Sequence, residues 1–460
     1  MSSKTVSYRL GDLTDWLSGG TPSKKNPEYW GDDIPWISAS SMGGSRYSSS
    51  DLKITKKGLE AGSRLALEGS ILLLVRGSTL HNRIPVGIAE RDVAFNQDVK
   101  AIRVKPKLIA RQVTDEMYVY YWLKANEQRL LEMVEHTGIG AGKLDTKRLQ
   151  NLEIHLPSWP EQRKIVASAT AIDEKEILNS RINQTLEQVA QAIFKSWFVD
   201  FEPVKAKIAA LEAGGSEEDA LLAAMQAISG KGEAELTRLQ TEQPEQYTEL
   251  RATAELFPSA MQESELGEIP EGWGVSQIGD LVTRIPVGKK YSQKTASETG
   301  EVPVLDQGKS GIIGFHNEKP GVTACPDDPV IVFANHTCYM RLIMHDFSAI
   351  QNVLPFKSKS AKALSIFWLY FATLGKQEFI EYKGHWPDFV IKEIVVPDNS
   401  IASRFGSIAK DLVVNQFRND KQNETLSAIR DAMLPKLLSG ELSVADFANQ
   451  AENAEASVNV

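Results

Sequence analysis

Shifting the chain by 240 positions lays one stretch on another without a gap from Pro157 to Phe198. Pro157 meets Pro397, Ile165 meets Phe405 and Ile172 meets Leu412. Asn183-Gln184-Thr185-Leu186 meets Asn423-Glu424-Thr425-Leu426. The stripe Leu186, Val189, Ile193 and Trp197 returns as Leu426, Ile429, Met433 and Leu437. Preceded by Ile182, the first stripe steps by 4, 3, 4 and 4 residues. Such spacing draws one apolar line along a long helix, and a second helix must cover it. A tetrapeptide can match by chance; a tetrapeptide and a stripe at one constant offset indicate a duplicated unit.

The intervening segments match more loosely. Leu10-Gly11-Asp12-Leu13 is similar to Ile278-Gly279-Asp280-Leu281, and Asp92–Val99 is similar to Asp346–Val353. Tyr121-Trp122-Leu123 is similar to Phe367-Trp368-Leu369. The offset falls from 268 to 254 to 246, so loops differ while a framework persists. The chain therefore reads as globule, helix, globule, helix, with cuts at 1–157, 158–268, 269–397 and 398–460. The globular segments show short apolar runs, such as Ile71–Val75 and Val330–Ala334, between turn residues, which predicts buried strands. Each adds one longer helical stretch, Glu116–Glu135 and Ala361–Tyr382. The second segment also carries an acidic piece from Glu212 to Glu265, which has no counterpart in the fourth. Its breaks at Gly214-Gly215 and Gly230-Lys231-Gly232 predict two short helices.

Charge alone argues against nucleic acid: 51 Lys and Arg face 60 Asp and Glu, a net of −9. The charge is segregated, however. The four segments carry +4, −10, 0 and −3, so the acid sits in the helical parts and the tail. A hydrophobic share of 42% supports real cores and excludes bulk disorder. No apolar run reaches membrane-spanning length, and residues 1–20 lack the apolar core of a secretory signal. Two cysteines, Cys325 and Cys338, make no disulfide framework, and a reducing cytoplasm is the expected compartment.

Catalytic patterns fail in turn. Gly138–Leu144 lacks both the spacing of a Walker loop and the hydroxyl after its lysine, and a turn after the preceding helix is the plainer reading. There is no Pro-Pro for an amino-methyltransferase loop, no Gly-x-Ser-x-Gly elbow and no His-Glu-x-x-His helix. Cys325, His336 and Cys338 lack paired metal-ligand spacing, and we expect no metal. What recurs is material for gripping a polyanion. The first globule offers Thr21, Lys24, Lys25, Ser38, Ser40, Arg76, His81, Arg83 and Lys143. The third segment offers Lys289, Lys290, Tyr291, Lys294, Gln307, His336, Arg341, His385 and Trp386. Cations pair with phosphates or guanine edges, amides match adenine, and hydroxyls serve either. Trp30, Trp36, Trp122 and Trp368 read as packing, whereas Trp386, beside His385, stays open as a contact.

Several stretches carry a family resemblance. They are Glu28-Tyr29-Trp30-Gly31 with Ile34-Pro35-Trp36-Ile37, Leu156-Pro157 with Glu161–Ile165, Phe194–Lys207, and Glu263–Trp273. With the duplicated layout, the chain resembles the specificity subunits of type I restriction-modification systems. The resemblance implies an α+β chain with two globular α/β target recognition domains alternating with two long helical regions. Those regions would pair as an antiparallel coiled coil in a pseudo-two-fold tandem repeat, with a flexible C-terminal tail. It implies a non-catalytic subunit that reads double-stranded DNA. It further implies docking of two modification subunits, which carry S-adenosylmethionine, and two restriction subunits, which use ATP and Mg. A helix from Glu161 to Phe201 would extend about 60 Å and could fix the spacing of two half-sites. The expected coiled-coil or subunit interface comprises Ile165, Ile172, Ile182, Leu186, Val189, Ile193, Trp197, Phe405, Leu412, Leu426, Ile429, Met433 and Leu437. A protein-docking scaffold with two binding modules is the alternative, favoured by the acidic helices; a stand-alone enzyme comes third.

Overall fold

The computed structural model describes residues 5–137, 140–308, 311–359 and 364–442. Gly138 and Ile139 of the glycine-rich stretch, positions 361–363 of the second expected helix, and the expected flexible tail from 443 lie outside them. The chain divides into two units, one of residues 1–179 with 420–460 and one of residues 180–419.

In the first unit, Val6–Arg9 pairs antiparallel with Glu153–Leu156, bringing the two ends of the globular segment together. A five-stranded sheet runs in the order Thr14–Ser18, Val99–Val104, Ile71–Leu74, Val86–Ala89, Arg46–Tyr47. Its central strand Ile71-Leu72-Leu73-Leu74 is wholly buried, as a continuous apolar run requires when both sheet faces are covered. A second sheet runs Lys53–Ile54, Trp30–Ile37, Val93–Phe95, Arg64–Ala66. Trp30 and Trp36 pack edge to face at 5.2 Å, and Trp122 is buried, in keeping with their reading as packing. The helix expected over Glu116–Glu135 is interrupted. Asp115 caps Glu116–Ala125 through Tyr118 N, a second helix covers Glu127–Leu131, and Val134–Thr137 is a strand. That strand pairs antiparallel with Ala141–Leu144, so most of the described part of the glycine-rich stretch is strand rather than turn. Hairpin hydrogen bonds outcompete helix here because the segment is β-branched and followed by glycine.

In the second unit, Gly274–Gln277 pairs with Glu393–Val396 in the same antiparallel manner. The short helix Ile278–Leu281 follows it, as Leu10–Leu13 follows Val6–Arg9 in the first unit. One sheet runs Val282–Arg284, Val353–Ser358, Val330–Ala334, Met340–Ile343, again with a fully buried strand, Val330–Ala334, between two antiparallel neighbours. The other runs Lys290–Tyr291, Ser348–Ile350, Val302–Leu305, Ile312–His316. The helix expected over 361–382 is shorter, Ile366–Thr373, with Trp368 fully buried. Gly375, at φ +71°, turns the chain just beyond it. The acidic piece forms three helices after Glu212 rather than two: Glu217–Ser229, Glu233–Glu242 and Pro244–Glu255. The extra break falls at Pro244, which can open a helix but cannot continue one.

Two long helices complete the described chain, Trp159–Phe198 and Asn399–Ser439. The first ends three residues before the expected Phe201, which takes left-handed φ 55° ahead of the helix Glu202–Glu212. Residues 159–179 and 420–439 belong to the first unit, 180–198 and 399–419 to the second. In the first unit, Ile165, Ile172, Leu426, Met433 and Leu437 are buried in the globular core, with Ile429 packed against it. In the second, Trp197 and Phe405 are buried and Ile193 and Leu412 pack beside them.

The apolar stripe does not make all the helix contacts. Ile182 and Val189 are 39% and 40% exposed, and Leu186 is half-buried. Amides carry that stretch instead. In the first unit, Asn179 Nδ2 donates to Gln422 Oε1 at 2.7 Å and to Asn423 Oδ1 at 2.8 Å. In the second, Asn419 Nδ2 donates to Asn183 Oδ1 at 2.8 Å, and Gln416 Nε2 donates to the Asn183 carbonyl at 2.9 Å. The first unit also buries an ionic cluster. Arg430 Nη1 lies 2.8 Å from Asp173 and 2.7 Å from Glu176, while Tyr121 OH donates to Asp173 Oδ2 at 3.0 Å. Lys124 is 3.4 Å from the same carboxylate. Burial would lower the affinity of Arg430 for its proton, but Asp431, Glu176 and Asp173 outweigh it and raise its pKa. Burial first, then Asp173, drives the Tyr121 phenol far up, so it is a permanent donor.

Candidate nucleic-acid interface

The first unit gathers cations by strand pairing. Register places Arg76 opposite Lys143 on antiparallel strands. Lys100 and Gln97, from the start of the strand Val99–Val104 and the turn before it, join them with Thr146 and Lys147 around a cleft of ≈ 500 Å³. Lys100 donates to Ser18 Oγ. Burial, then the Arg76 charge, pushes its pKa below the usual lysine range, as expected where like charges crowd. Asp145 caps the helix Thr146–Gln150 by accepting from the backbone N–H groups of Lys147 and Arg148, and those bonds hold its carboxyl below the usual range. Thr21 Oγ1 donates to Gln97 Oε1 at 2.7 Å, which ties the Gly19-Gly20-Thr21 turn to this cleft. Arg76, Lys143 and Thr21 are therefore brought together, whereas Lys24 and Lys25 are exposed on the turn beyond.

The other expected residues of this unit lie on adjoining loops. Ser38 and Ser40 hydroxyls are 3.0 Å apart in a short turn that ends at Met42, whose carbonyl accepts from Arg83 Nη2 at 3.3 Å. His81 Nε2 donates to the Gly140 carbonyl at 3.1 Å, which fixes its tautomer. The His81 ring stacks on His136 at 4.8 Å with 9° between planes. Sequence reading missed Gln97, Lys100, Lys147 and His136. A lysine alternating with buried residues in Val99-Lys100-Ala101-Ile102 was the available signal for Lys100.

The second unit divides its expected residues into two groups. Gln307 Oε1 accepts from His336 N at 2.9 Å, the Gln307 carbonyl accepts from Thr337 Oγ1, and Arg341 Nη2 donates to the Asp306 carbonyl at 2.6 Å. Gln307, His336 and Arg341 thus share one loop cluster. Burial is the main cause of a lowered Arg341 pKa, with Asp306 and Tyr339 opposing it. His336 Nδ1 donates to the Lys383 carbonyl at 2.7 Å, and its ring stacks on Tyr382 at 5.0 Å. The other group centres on Lys289, whose ammonium lies 2.7 Å from both Glu318 oxygens. That bond raises the Lys289 pKa and lowers that of Glu318. Lys290 and Lys294 are exposed.

Three expected contacts are structural instead. Tyr291 is 6% exposed, stacks on His316 at 4.2 Å and donates to Glu318. His385 is fully buried and donates from Nε2 to the Glu381 carbonyl at 3.0 Å. Trp386 is half-buried against Phe333, Phe356 and Phe389, with the Arg284 guanidinium 5.6 Å over its ring. A glycine before a His-Trp pair reads as an exposed loop, but Asn335 draws it inward by accepting from His385 N at 2.8 Å and from Trp386 N at 2.8 Å. Cys325 is exposed and Cys338 half-buried, and the described residues form no cluster of three or more His, Cys, Asp or Glu suited to a metal. No described helix is long and apolar enough to cross a membrane.

Cationic and amide-bearing groups thus gather at the loops and strand ends of both sheet frameworks, a composition suited to contact with a polyanion. Residues 2–188 match the type I restriction modification DNA specificity domain. The type I restriction enzyme HindI specificity subunit of Haemophilus influenzae is 34% identical over 327 residues, 64% of this chain and 70% of that one. The MjaIX specificity subunit of Methanocaldococcus jannaschii is 25% identical over 478 residues, covering 95% and 94%. The solved S subunit from M. genitalium matches with a TM-score of 0.49 and 14% identity, covering 95% of this chain and 96% of that one. The chain belongs to the specificity subunits of type I restriction-modification systems and is a non-catalytic recognition component.

Proposed function

We propose that the chain reads a bipartite, asymmetric DNA site, with residues 1–157 and 269–397 as target recognition domains for one half each. The observation that supports this reading best is the shared layout of the two sheets. In each unit a fully buried strand is followed by a segment of short strand and loop that carries polar and cationic groups, Arg76 to Arg83 in one and His336 to Arg341 in the other. Two different readers on one framework suit two different half-sites. The regions 158–268 and 398–460 would pair as an antiparallel coiled coil and set the spacing between the halves. The order of contacts within each unit, Asp173 with Arg430, Asn179 with Asn423, and Asn183 with Asn419, favours the antiparallel sense.

In this reading the partners are double-stranded DNA, two modification subunits and two restriction subunits. S-adenosylmethionine and ATP with Mg belong to those partners. Exposed Ile182 and Val189, not needed for helix pairing, suit a docking surface for a partner subunit. The helical segments and tail carry −13 and the two readers +4, so DNA affinity depends on cations from the assembled complex. Replacing residues 1–157 with those of a related specificity subunit tests the reading. Methylated motifs in the host genome should change in one half only; a change in both halves, or in neither, overturns it.

A further inference from the structure

Two ring stacks sit at matching places in the two units. His81 lies on the loop after the buried strand Ile71–Leu74, and its partner His136 on the segment after the helices Glu116–Ala125 and Glu127–Leu131. His336 lies on the loop after the buried strand Val330–Ala334, and its partner Tyr382 on the segment after the helix Ile366–Thr373. Both pairs are close to parallel, at 9° and 15°. The offset of 246 that matches Tyr121-Trp122-Leu123 to Phe367-Trp368-Leu369 also sets His136 on Tyr382 and Gly138 on Gly384. A ring pair kept on one topology through divergent loops serves something common to both domains.

Closing the loops is not that service, because backbone bonds already close them. In the first unit, Leu144 N donates to the Val75 carbonyl at 2.9 Å, and the strands Val134–Thr137 and Ala141–Leu144 pair along their length. In the second, His385 N donates to the Asn335 carbonyl at 2.8 Å. A stack that served as a clasp would also be buried. His81 and His136 are exposed, and Tyr382 is 84% exposed, beside exposed Ile380. Each pair is braced from below: His81 by the Gly140 carbonyl, His336 by the Lys383 carbonyl. Each also adjoins polyanion-binding groups. Lys143 lies on the strand whose first residue follows Gly140, and Gln307 holds the backbone of His336. His336 itself is half-buried under the exposed Tyr382, and flat, braced rings with an open face in each pair are suited to lie against base edges or an unstacked base.

Resting on the DNA-reading function above, we propose that the pairs His81–His136 and His336–Tyr382 are base-contacting, specificity-determining elements, one for each half-site.

The test uses the full-length chain assembled with its modification subunits, with methylated motifs mapped across genomic DNA. Wild type must first yield one split motif; failure there strikes the DNA-reading function itself, before any variant is considered. His136→Ala should then relax base discrimination about tenfold or more in one half-site only, and Tyr382→Ala in the other only. His136→Tyr and Tyr382→His guard against loss of folding, because each keeps a flat stacked ring and changes only its hydrogen-bonding edge. A changed base preference confined to one half-site supports the proposal. Unaltered motifs in both exchange variants, with complexes assembled and melting as wild type, overturn it and leave the stacks a structural role.

Discussion

Asn179 donates its side-chain amide to Asn423 Oδ1 at 2.8 Å. Moving each residue by 240 positions gives Asn419 and Asn183, which form the same bond, at 2.8 Å and with the same donor. The duplication is therefore kept in hydrogen bonds as well as in apolar spacing. A buried amide is costly when its partner is lost. Asn179 is 1% exposed and Asn419 half-buried, so Asn179→Ala should destabilise the chain by about 1–3 kcal/mol and Asn419→Ala by about 0.5–1.5 kcal/mol, measured by thermal or urea unfolding. A negligible effect for either would show that its bond adds nothing to the helix seam.

Arg430 should be the more sensitive position. Its side chain is 9% exposed, and the Asp173 side chain it contacts is 1% exposed. Arg430→Met leaves Asp173 with a charge uncompensated on that side, for an expected loss of about 3–5 kcal/mol. Lys421→Met breaks the exposed pair with Glu424 and should cost at most about 0.5 kcal/mol. Equal losses in the two variants would contradict the burial argument.

Charge reversal should separate the cations of the reading loops. Arg76→Glu or Lys143→Glu should weaken DNA binding by the assembled complex and reduce the slope of log K against log salt by about one phosphate contact or more. Lys290→Glu should have a larger effect than Lys289→Glu, because Glu318 already neutralises Lys289. A salt titration that leaves the Arg76→Glu slope at the wild-type value removes that residue from the interface.

His385→Ala should lower stability without a direct effect on base preference. The ring is buried and its Nε2 proton is committed to the Glu381 carbonyl. The expected loss is about 1–3 kcal/mol in unfolding, with an unchanged methylated motif where the complex assembles. A relaxed motif at wild-type stability would restore His385 to the reading surface.

The features legible in the sequence were those with a period or a run. Ile71–Leu74 and Val330–Ala334 announce buried strands, and the stripe from Leu186 to Trp197 announces a long helix, although only its Ile193–Trp197 end is well covered. The seam was less legible, since Asn179, Asn183, Gln416 and Asn423 are ordinary surface residues until a second helix lies opposite them. His385 and Tyr291 illustrate the opposite difficulty. Polar rings near glycine read as exposed loops, yet the Glu381 carbonyl and the Glu318 carboxylate supply partners that make burial affordable. Lys100 and His136 were missed because strand pairing over long separations, not local pattern, places them beside Arg76 and His81.

The ionic cluster at Asp173 bears on how such chains diversify. Two of its members, Tyr121 and Lys124, come from the first globular segment, while Asp173 and Arg430 come from the two long helices. Shuffling a new reading head onto this frame is thus conditional. An incoming segment that lacks a phenol and an ammonium at those positions strands Asp173 Oδ2 in the core and lowers the yield of folded protein. The same shift that matches the helices sets Val413 at the place of Asp173 and Ala190 at the place of Arg430, and the ionic link between helix and globule in the second unit is instead the exposed pair Lys410–Asp327.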